Sequence, residues 1–131
     1  MVFLWYYYVM KEIMDKIIEN GYEAYVVGGY VRDYLLGIET DDIDICTNAP
    51  INKIIEMFKG EGIAFPQYYA FHIERDGVCY DITSYRKELS YRRNKPIEIV
   101  PAKDLAEDLL RRDFTINTFA ISYEGRLVDI Y

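Results

Sequence analysis

The sequence is poor in the residues that build soft-metal sites and disulfide frameworks. Its 131 residues include one histidine, two cysteines and four prolines, and 22 acidic residues outnumber 15 basic ones, which gives a net charge of −7. One histidine and two cysteines cannot form a zinc site of the usual kinds, so a catalytic metal is expected to be Mg²⁺ or Mn²⁺ held by oxygen atoms. Cys46 and Cys79 have no partnered spacing, which favours a reduced, cytoplasmic protein. The acidic balance argues against a domain that binds nucleic acid over its whole surface.

The N-terminal run MVFLWYYYVM is apolar, but it has only about half the length that a membrane-spanning helix needs. It also lacks the basic start and the small-residue cleavage site of a targeting segment, so no membrane partner is expected. Apolar residues continue at helical spacing, and Asn20-Gly21 ends the pattern. The segment 1–20 is therefore predicted to contain a helix over about residues 5–19. The residues at that spacing are Met10, Ile13, Met14, Ile17 and Ile18.

The length and the 51% hydrophobic content predict one folded domain over residues 1–131. Strands are predicted at 23–27 and 43–46, with a Gly28-Gly29 turn and a short helix in YVRDYLL between them. Asn48 is expected to cap a helix in PINKIIEMF. The fold class is therefore predicted as α+β, a mixed sheet flanked by helices that begins with a parallel-looking pair of strands.

The segments AFHIER and VCYDITSY alternate around Asp76-Gly77, which predicts a two-residue β-hairpin. Counting back from that turn places His72 opposite Asp81. The pair would border a site or form an ordinary cross-strand polar contact, and the second interpretation is favoured for His72. Short helices are predicted around DLAEDLL and TINTFAI, and a closing strand in LVDIY.

The acidic stretch GIETDDIDIC contains the strongest candidates for metal ligands. Asp42 and Asp44 are two residues apart at a strand entry, so both side chains should lie on one face of the sheet, with Asp41 on the other. Magnesium suits such a pair, because it takes one or two carboxylates plus water and substrate phosphates. On its own, an acidic pair at a strand edge is more often simply solvated.

Basic and glycine residues supply candidate phosphate contacts. The Gly28-Gly29 turn would bring backbone N–H groups near an anion at a helix N-terminus, and Arg32 in the first turn works against the helix dipole, which phosphate binding would explain. The plain alternative is a tight turn. In EDLLRRDFTIN, Arg111 and Arg112 either close a short helix or turn toward a nucleotide. The basic loop at residues 85–95 contacts phosphate or is simply solvated.

Three motifs in order, YVVGGYVRDYLLG, DDIDICT and EDLLRRDFTIN, resemble the head domain of class II tRNA nucleotidyltransferases (CCA-adding enzymes) and the related bacterial poly(A) polymerases. The resemblance runs from about Gly21 to the C-terminus and implies a polymerase-beta-like nucleotidyltransferase fold. Family members continue into neck, body and tail domains, which are absent from this sequence. A catalytic-head fragment is therefore expected, with exposed aromatic residues such as Trp5 as candidates for a contact with the neck.

The resemblance also implies roles for individual residues. Asp42 and Asp44 match the paired metal ligands, and Asp81 is the candidate third carboxylate, although the family more often has Glu there. Gly29, beside Gly28, matches a residue that binds the triphosphate. Arg32 also matches a residue that binds the triphosphate. Arg112 matches an arginine that contacts the nucleotide, and its neighbour Arg111 is a second candidate for that contact.

The implied reaction is template-independent addition of C, A or both to the 3′ end of tRNA, as in CCA addition. The RNA 3′-hydroxyl attacks the α-phosphate of CTP or ATP in line, with two Mg²⁺ ions bound, and pyrophosphate leaves. Two alternatives remain open from the sequence. One is the head of a poly(A) polymerase, and the other is a non-catalytic nucleotide-binding module that retains the motifs.

Overall fold

A seven-stranded mixed sheet with two helices packed on one face forms most of the described structure. The computed structural model describes residues 2–27, 42–92, 95–101, 119–122 and 127–129. Helix α1 is Val2–Glu19 and helix α2 is Ile51–Met57. The strands are β1 Ala24–Val27, β2 Asp42–Thr47, β3 Ile63–Phe65, β4 Ala70–Arg75, β5 Val78–Ser84, β6 Arg86–Arg92, β7 Lys95–Pro101, β8 Phe119–Ser122 and β9 Leu127–Asp129.

The large sheet has the strand order β3-β4-β5-β2-β1-β8-β9, and β6 and β7 form a separate two-stranded sheet. The pair β2 and β5 is parallel, whereas the other pairs described are antiparallel. This arrangement confirms the predicted α+β class with a mixed sheet. The prediction that the first two strands form a parallel pair was wrong. Strands β1 and β2 run antiparallel, and the parallel partner of β2 is the later strand β5.

The hydrophobic core lies between the two helices and one face of the sheet. Alternate strand residues such as Ile43, Ile45, Tyr80 and Ile82 are fully buried there, as the period of two along a strand requires. Helix α1 contributes Val9, Met10, Ile13, Met14 and Ile17, and helix α2 contributes Ile54. Because both helices cover the same face, the functional side chains of the central strands are left on the opposite face.

The β4–β5 hairpin has the turn that the sequence predicts. Asp76 and Gly77 both have positive φ, 53° and 81°, which is the type I′ conformation that Asp-Gly favours. Arg75 pairs with Val78 directly across the turn, so the register of the whole hairpin follows from its two-residue loop. The helix predicted over about residues 5–19 and the closing strand are also confirmed, as α1 and β9.

Several predicted elements were wrong. Asn48 does not cap α2, because its Oδ1 accepts a hydrogen bond from the backbone N–H of Glu23 at 2.8 Å, and Pro50 occupies the N-cap position. Residues 119–121, predicted as the end of a helix, lie in strand β8, which the sheet recruits beside β1. Most of the basic segment predicted as a loop forms strand β6, which pairs antiparallel with β7.

Candidate active site

Three carboxylates come together on the face of the central strands opposite helices α1 and α2. Asp44 in β2 lies directly beside Asp81 in the parallel neighbour β5, and Asp42 lies beside Cys79 in the same pair. Neighbouring strands are about 4.8 Å apart and directly paired residues share a face. Asp42, Asp44 and Asp81 therefore form one compact group, as strand alternation predicts for the first two.

These carboxylates are accessible to solvent and ligands. Asp42 is exposed and Asp44 is half-buried, whereas the intervening Ile43 points into the core and is fully buried. The side chain of Asp81 is 39% exposed. Helices α1 and α2 pack against the other face of the sheet, so these two helices do not cover the carboxylates.

His72 supports the third carboxylate from the neighbouring strand. The register pairs His72 with Asp81, and the imidazole Nδ1 lies 2.7 Å from Asp81 Oδ1. The predicted cross-strand contact is therefore confirmed. A neutral imidazole whose Nδ1–H donates to this carboxylate keeps Nε2 as an acceptor or metal ligand.

The carboxylate group fits a hard divalent cation. Partly exposed oxygen ligands on two adjacent strands are the donor set that Mg²⁺ and Mn²⁺ prefer. We find no feature in the described residues that would oppose a cation there, since His72 Nδ1 is engaged with Asp81.

A second possible metal-binding group lies beside the carboxylates. One ring nitrogen of His72, a carboxylate oxygen of Glu74 and the Cys79 sulfur all lie within 4.8 Å of one another. Sequence reasoning missed this group, although the signal was present. The hairpin register that placed His72 opposite Asp81 also places Glu74 opposite Cys79 on the same face.

The other predicted site residues lie outside the described residues. These are Gly28, Gly29, Arg32, Arg111 and Arg112, and the segments YVRDYLL and DLAEDLL, each predicted as a short helix, also lie outside the described residues. Their proposed contacts with a nucleotide stay predictions.

A separate groove of about 440 Å³ lies between the helices, on the face of the sheet opposite the carboxylates. Its lining is polar and contains cations from both helices, but these are engaged. Lys16 Nζ lies 2.8 Å from Glu61 Oε2, and Lys53 Nζ lies 3.5 Å from Glu56 Oε2. The groove is lined by Lys16, Asn20, Tyr22, Lys53, Glu56 and Met57. It therefore belongs to the packing of α1 against α2 rather than to the carboxylate site.

Among the described helices, none is long and apolar enough to cross a membrane.

Known proteins share both the sequence and the fold of this chain. Residues 24–131 match the Poly A polymerase head domain family. The CCA-adding enzyme of Lactococcus lactis subsp. lactis (strain IL1403) is 42% identical over 127 residues, which cover 92% of this chain and 31% of that enzyme. The CCA-adding enzyme of Oceanobacillus iheyensis is 38% identical over 120 residues, 91% of this chain and 30% of that enzyme.

Solved structures give the same relationship. The Bacillus stearothermophilus CCA-adding enzyme in complex with CTP superimposes with a TM-score of 0.78 at 30% identity, covering 93% of this chain and 29% of that one. A tRNA nucleotidyltransferase complexed with a primer tRNA and an incoming ATP analog superimposes with a TM-score of 0.71 at 32% identity, covering 91% of this chain and 34% of that one. This chain spans 31% and 30% of the two curated relatives described above.

Proposed function

This chain belongs to the Poly A polymerase head domain family, as the three sequence motifs predicted, and on that premise we propose that it is the catalytic head of a tRNA 3′-end nucleotidyltransferase. The substrates would be CTP, ATP and the 3′ end of tRNA, and the products an RNA longer by one nucleotide and pyrophosphate. The observation that carries the proposal is the register that sets Asp44 beside Asp81, with Asp42 on the same face.

Asp42 and Asp44 would hold the divalent cations, and Asp81 would complete the oxygen set from the adjacent strand. When bound, Mg²⁺ or Mn²⁺ lowers the pKa of a coordinated hydroxyl and offsets the negative charge of a triphosphate. The 3′-hydroxyl oxygen would form a bond to the α-phosphorus and lose its proton to water, while the bond between the α-phosphorus and the oxygen bridging to the β-phosphate breaks and pyrophosphate leaves. Holding the two reactants in line and stabilising the charge on the phosphates would together supply most of the rate enhancement in such a reaction.

His72 would act as a positioning residue. Its hydrogen bond to Oδ1 would hold the Asp81 carboxylate in one orientation beside Asp44, the direct partner of Asp81 in the parallel strand pair. The triphosphate contacts proposed for Gly28, Gly29 and Arg32, and the nucleotide contacts of Arg111 and Arg112, would supply the opposite charge that these carboxylates lack. Backbone N–H groups and guanidinium groups are the usual partners of phosphate oxygens.

Replacement of either paired carboxylate tests this proposal. We expect Asp42→Ala and Asp44→Ala each to lower label transfer from α-labelled CTP or ATP to tRNA lacking its CCA end by about 100-fold or more. Asp41→Ala is the matched control, because the sequence pattern predicts Asp41 on the other face, and this variant should keep most of the activity. Sequencing of the extended tRNA distinguishes CCA addition from a poly(A) product.

Full transfer activity in the Asp44→Ala variant would refute the metal-ligand assignment. Nucleotide binding in the presence of Mg²⁺ without any transfer by the unsubstituted chain would instead favour the non-catalytic nucleotide-binding module.

A further inference from the structure

The open face of the β4–β5 hairpin carries a donor set different from the three aspartates. His72 and Glu74 are two residues apart on β4 and therefore point to the same face, and Cys79 on β5 is the direct partner of Glu74. Their ligand atoms lie within 4.8 Å of one another. An imidazole nitrogen, a carboxylate oxygen and a sulfur thus converge next to a rigid two-residue turn.

The chemistry of this set differs from that of the aspartate group. Mg²⁺ binds thiolate and imidazole poorly, whereas Zn²⁺ binds Cys, His and Glu side chains together in tetrahedral geometry. Ligand atoms around a tetrahedral zinc ion are roughly 3.5 Å apart, given bond lengths of about 2.0 to 2.3 Å. The ligand atoms of His72, Glu74 and Cys79 lie up to 4.8 Å apart, which is about 1 Å more than that spacing. Rotation about side-chain torsions can bring the atoms closer by this amount.

An independent feature prepares His72 to bind a metal. A ligating histidine commonly donates its other ring N–H to a carboxylate, which fixes the tautomer and makes the ligating nitrogen more basic. Asp81 Oδ1, 2.7 Å from His72 Nδ1, is placed for that role. The hydrogen bond leaves Nε2 as the nitrogen that can ligate.

The side chains of His72, Glu74 and Cys79 are accessible to solvent, and they lie on paired strands. His72 is 30% exposed, Cys79 is intermediate in exposure and Glu74 is exposed, so an ion can enter from solvent. His72 is paired on both sides, with Ile63 of β3 and Asp81 of β5, and Cys79 likewise with Glu74 of β4 and Asp42 of β2. A donor set on such strands loses little conformational entropy when it binds an ion.

We propose that His72, Glu74 and Cys79 form a zinc site, with Asp81 as the carboxylate that orients His72. Three protein ligands leave the fourth tetrahedral position to water. The usual Cys and His zinc sets remain excluded by composition. The carboxylate of Glu74 supplies the third ligand of the proposed site. A count of histidines and cysteines alone therefore does not reveal the site.

Direct metal binding tests the site, and it requires no transfer activity, so a failure here leaves the proposed function untouched. The untagged chain contains a single histidine, so its imidazole gives one set of resonances in a ¹H–¹⁵N NMR spectrum. On adding one equivalent of Zn²⁺, the Nε2 signal should shift. One equivalent of Co²⁺ should give a thiolate-to-metal absorption band.

The variants Cys79→Ser and Glu74→Gln should each weaken Zn²⁺ binding at least 10-fold in competition with a chromogenic chelator, and Cys79→Ser should abolish the Co²⁺ band. Asp81→Asn should weaken binding by about 10- to 100-fold while retaining the band. The matched control is Cys46→Ala, because Cys46 is fully buried and is not part of the group, and this variant should bind Zn²⁺ normally.

Equal Zn²⁺ affinity in the unsubstituted chain and in Cys79→Ser would overturn the site, as would an unshifted imidazole Nε2 signal at saturating Zn²⁺. Should Cys79→Ser fail to fold, Glu74→Gln decides alone, since Glu74 is exposed and its replacement disturbs no core contact.

Discussion

At the scale of single residues, Tyr85 has a strongly shifted side-chain pKa, and it lies at the boundary of the core. Tyr85 is 2% exposed, and its hydroxyl donates a hydrogen bond to Glu23 Oε1 at 2.7 Å. Burial raises the pKa of Tyr85 far above its ordinary value, and the hydrogen bond to Glu23 raises it further. The folded protein therefore keeps this phenol neutral at a pH where the unfolded chain ionises it.

The sign of the resulting pH effect is fixed by that raised pKa. The unfolded tyrosine titrates near pH 10, so above that pH unfolding releases a proton, and the free energy of unfolding falls as the pH rises. Below about pH 10 the stabilisation is fully present. The window in which it is lost therefore begins at about pH 10 and extends upward.

Tyr85→Phe tests this linkage. We expect the variant to lose about 0.5 to 1.5 kcal/mol of stability at about pH 8, because one hydrogen bond is removed. At about pH 10.5 the difference from the unsubstituted chain should shrink by about 0.8 kcal/mol, because phenylalanine has no proton to lose. Urea unfolding at both pH values measures it. The exposed Tyr68, replaced in Tyr68→Phe, is the control, and a constant difference for Tyr85→Phe would contradict the assignment.

At the scale of elements, the placement of the edge strand β3 depends on one glycine. Gly62 precedes β3, and a Cβ there would clash with the backbone carbonyl oxygen of His72 and approach the Phe71 ring to 2.9 Å. Only a residue without a side chain lets the chain approach β4 this closely. The approach matters because His72 is the residue that contacts Asp81.

Gly62→Ala should therefore disturb both stability and the site. We expect a loss of about 1 to 3 kcal/mol, because backbone atoms must move to remove the clash, together with a changed imidazole resonance of His72. Gly60→Ala is the matched control. Gly60 has a φ of 82° but open space around it, so that variant should lose about 1 to 2 kcal/mol without altering the His72 signal. An unchanged His72 signal in Gly62→Ala would show that the added Cβ does not displace His72 in β4.

The elements also show what the sequence could and could not predict. Asp42 and Asp44 share a face because strands have a period of two, and His72 meets Asp81 because a two-residue turn fixes register. Both inferences need only local geometry, and both are confirmed. The parallel pairing of β2 with β5 joins residues 37 positions apart (81 − 44), and nothing in the local pattern selects that partner.

The errors have the same origin. Asn48 has the right side chain for a helix cap, but tertiary contact with the backbone of Glu23 competes successfully for its oxygen. Residues 119–121 have no strong strand pattern of their own, and β8 forms because β1 offers an unpaired edge. In each case, a distant partner overrides a local preference.

At the scale of the whole molecule, helix α1 closes a core that the matched family region alone would leave open. The family match begins at residue 24, yet α1 ends at Glu19 and supplies five buried core residues. Ion pairs join the same helix to the far end of the sheet, with Arg75 Nη1 2.9 Å from Glu12 Oε2. These pairs are largely exposed, so most of the stabilisation comes from the apolar contacts.

Two adjacent isoleucines on α1 test this dependence. Ile17 is fully buried and Ile18 is 36% exposed. We expect Ile17→Ala to lower the free energy of unfolding by about 2 to 5 kcal/mol, because it leaves a cavity under the sheet, and Ile18→Ala by less than about 1 kcal/mol. Thermal or urea unfolding measures both. Equal losses would mean that α1 packs loosely and does not belong to the cooperative unit.

The alternation along β5 has a further consequence for the fidelity of folding. Asp81 lies between Tyr80 and Ile82, which are both fully buried. A slip of one residue against β2 would carry Asp81 into the core and both apolar side chains into water. Such a misregistered chain is penalised heavily whether or not any ligand is present. Burial of Tyr80 and Ile82 therefore selects the register in which Asp81 lies beside Asp44. A correctly folded molecule has these two carboxylates side by side.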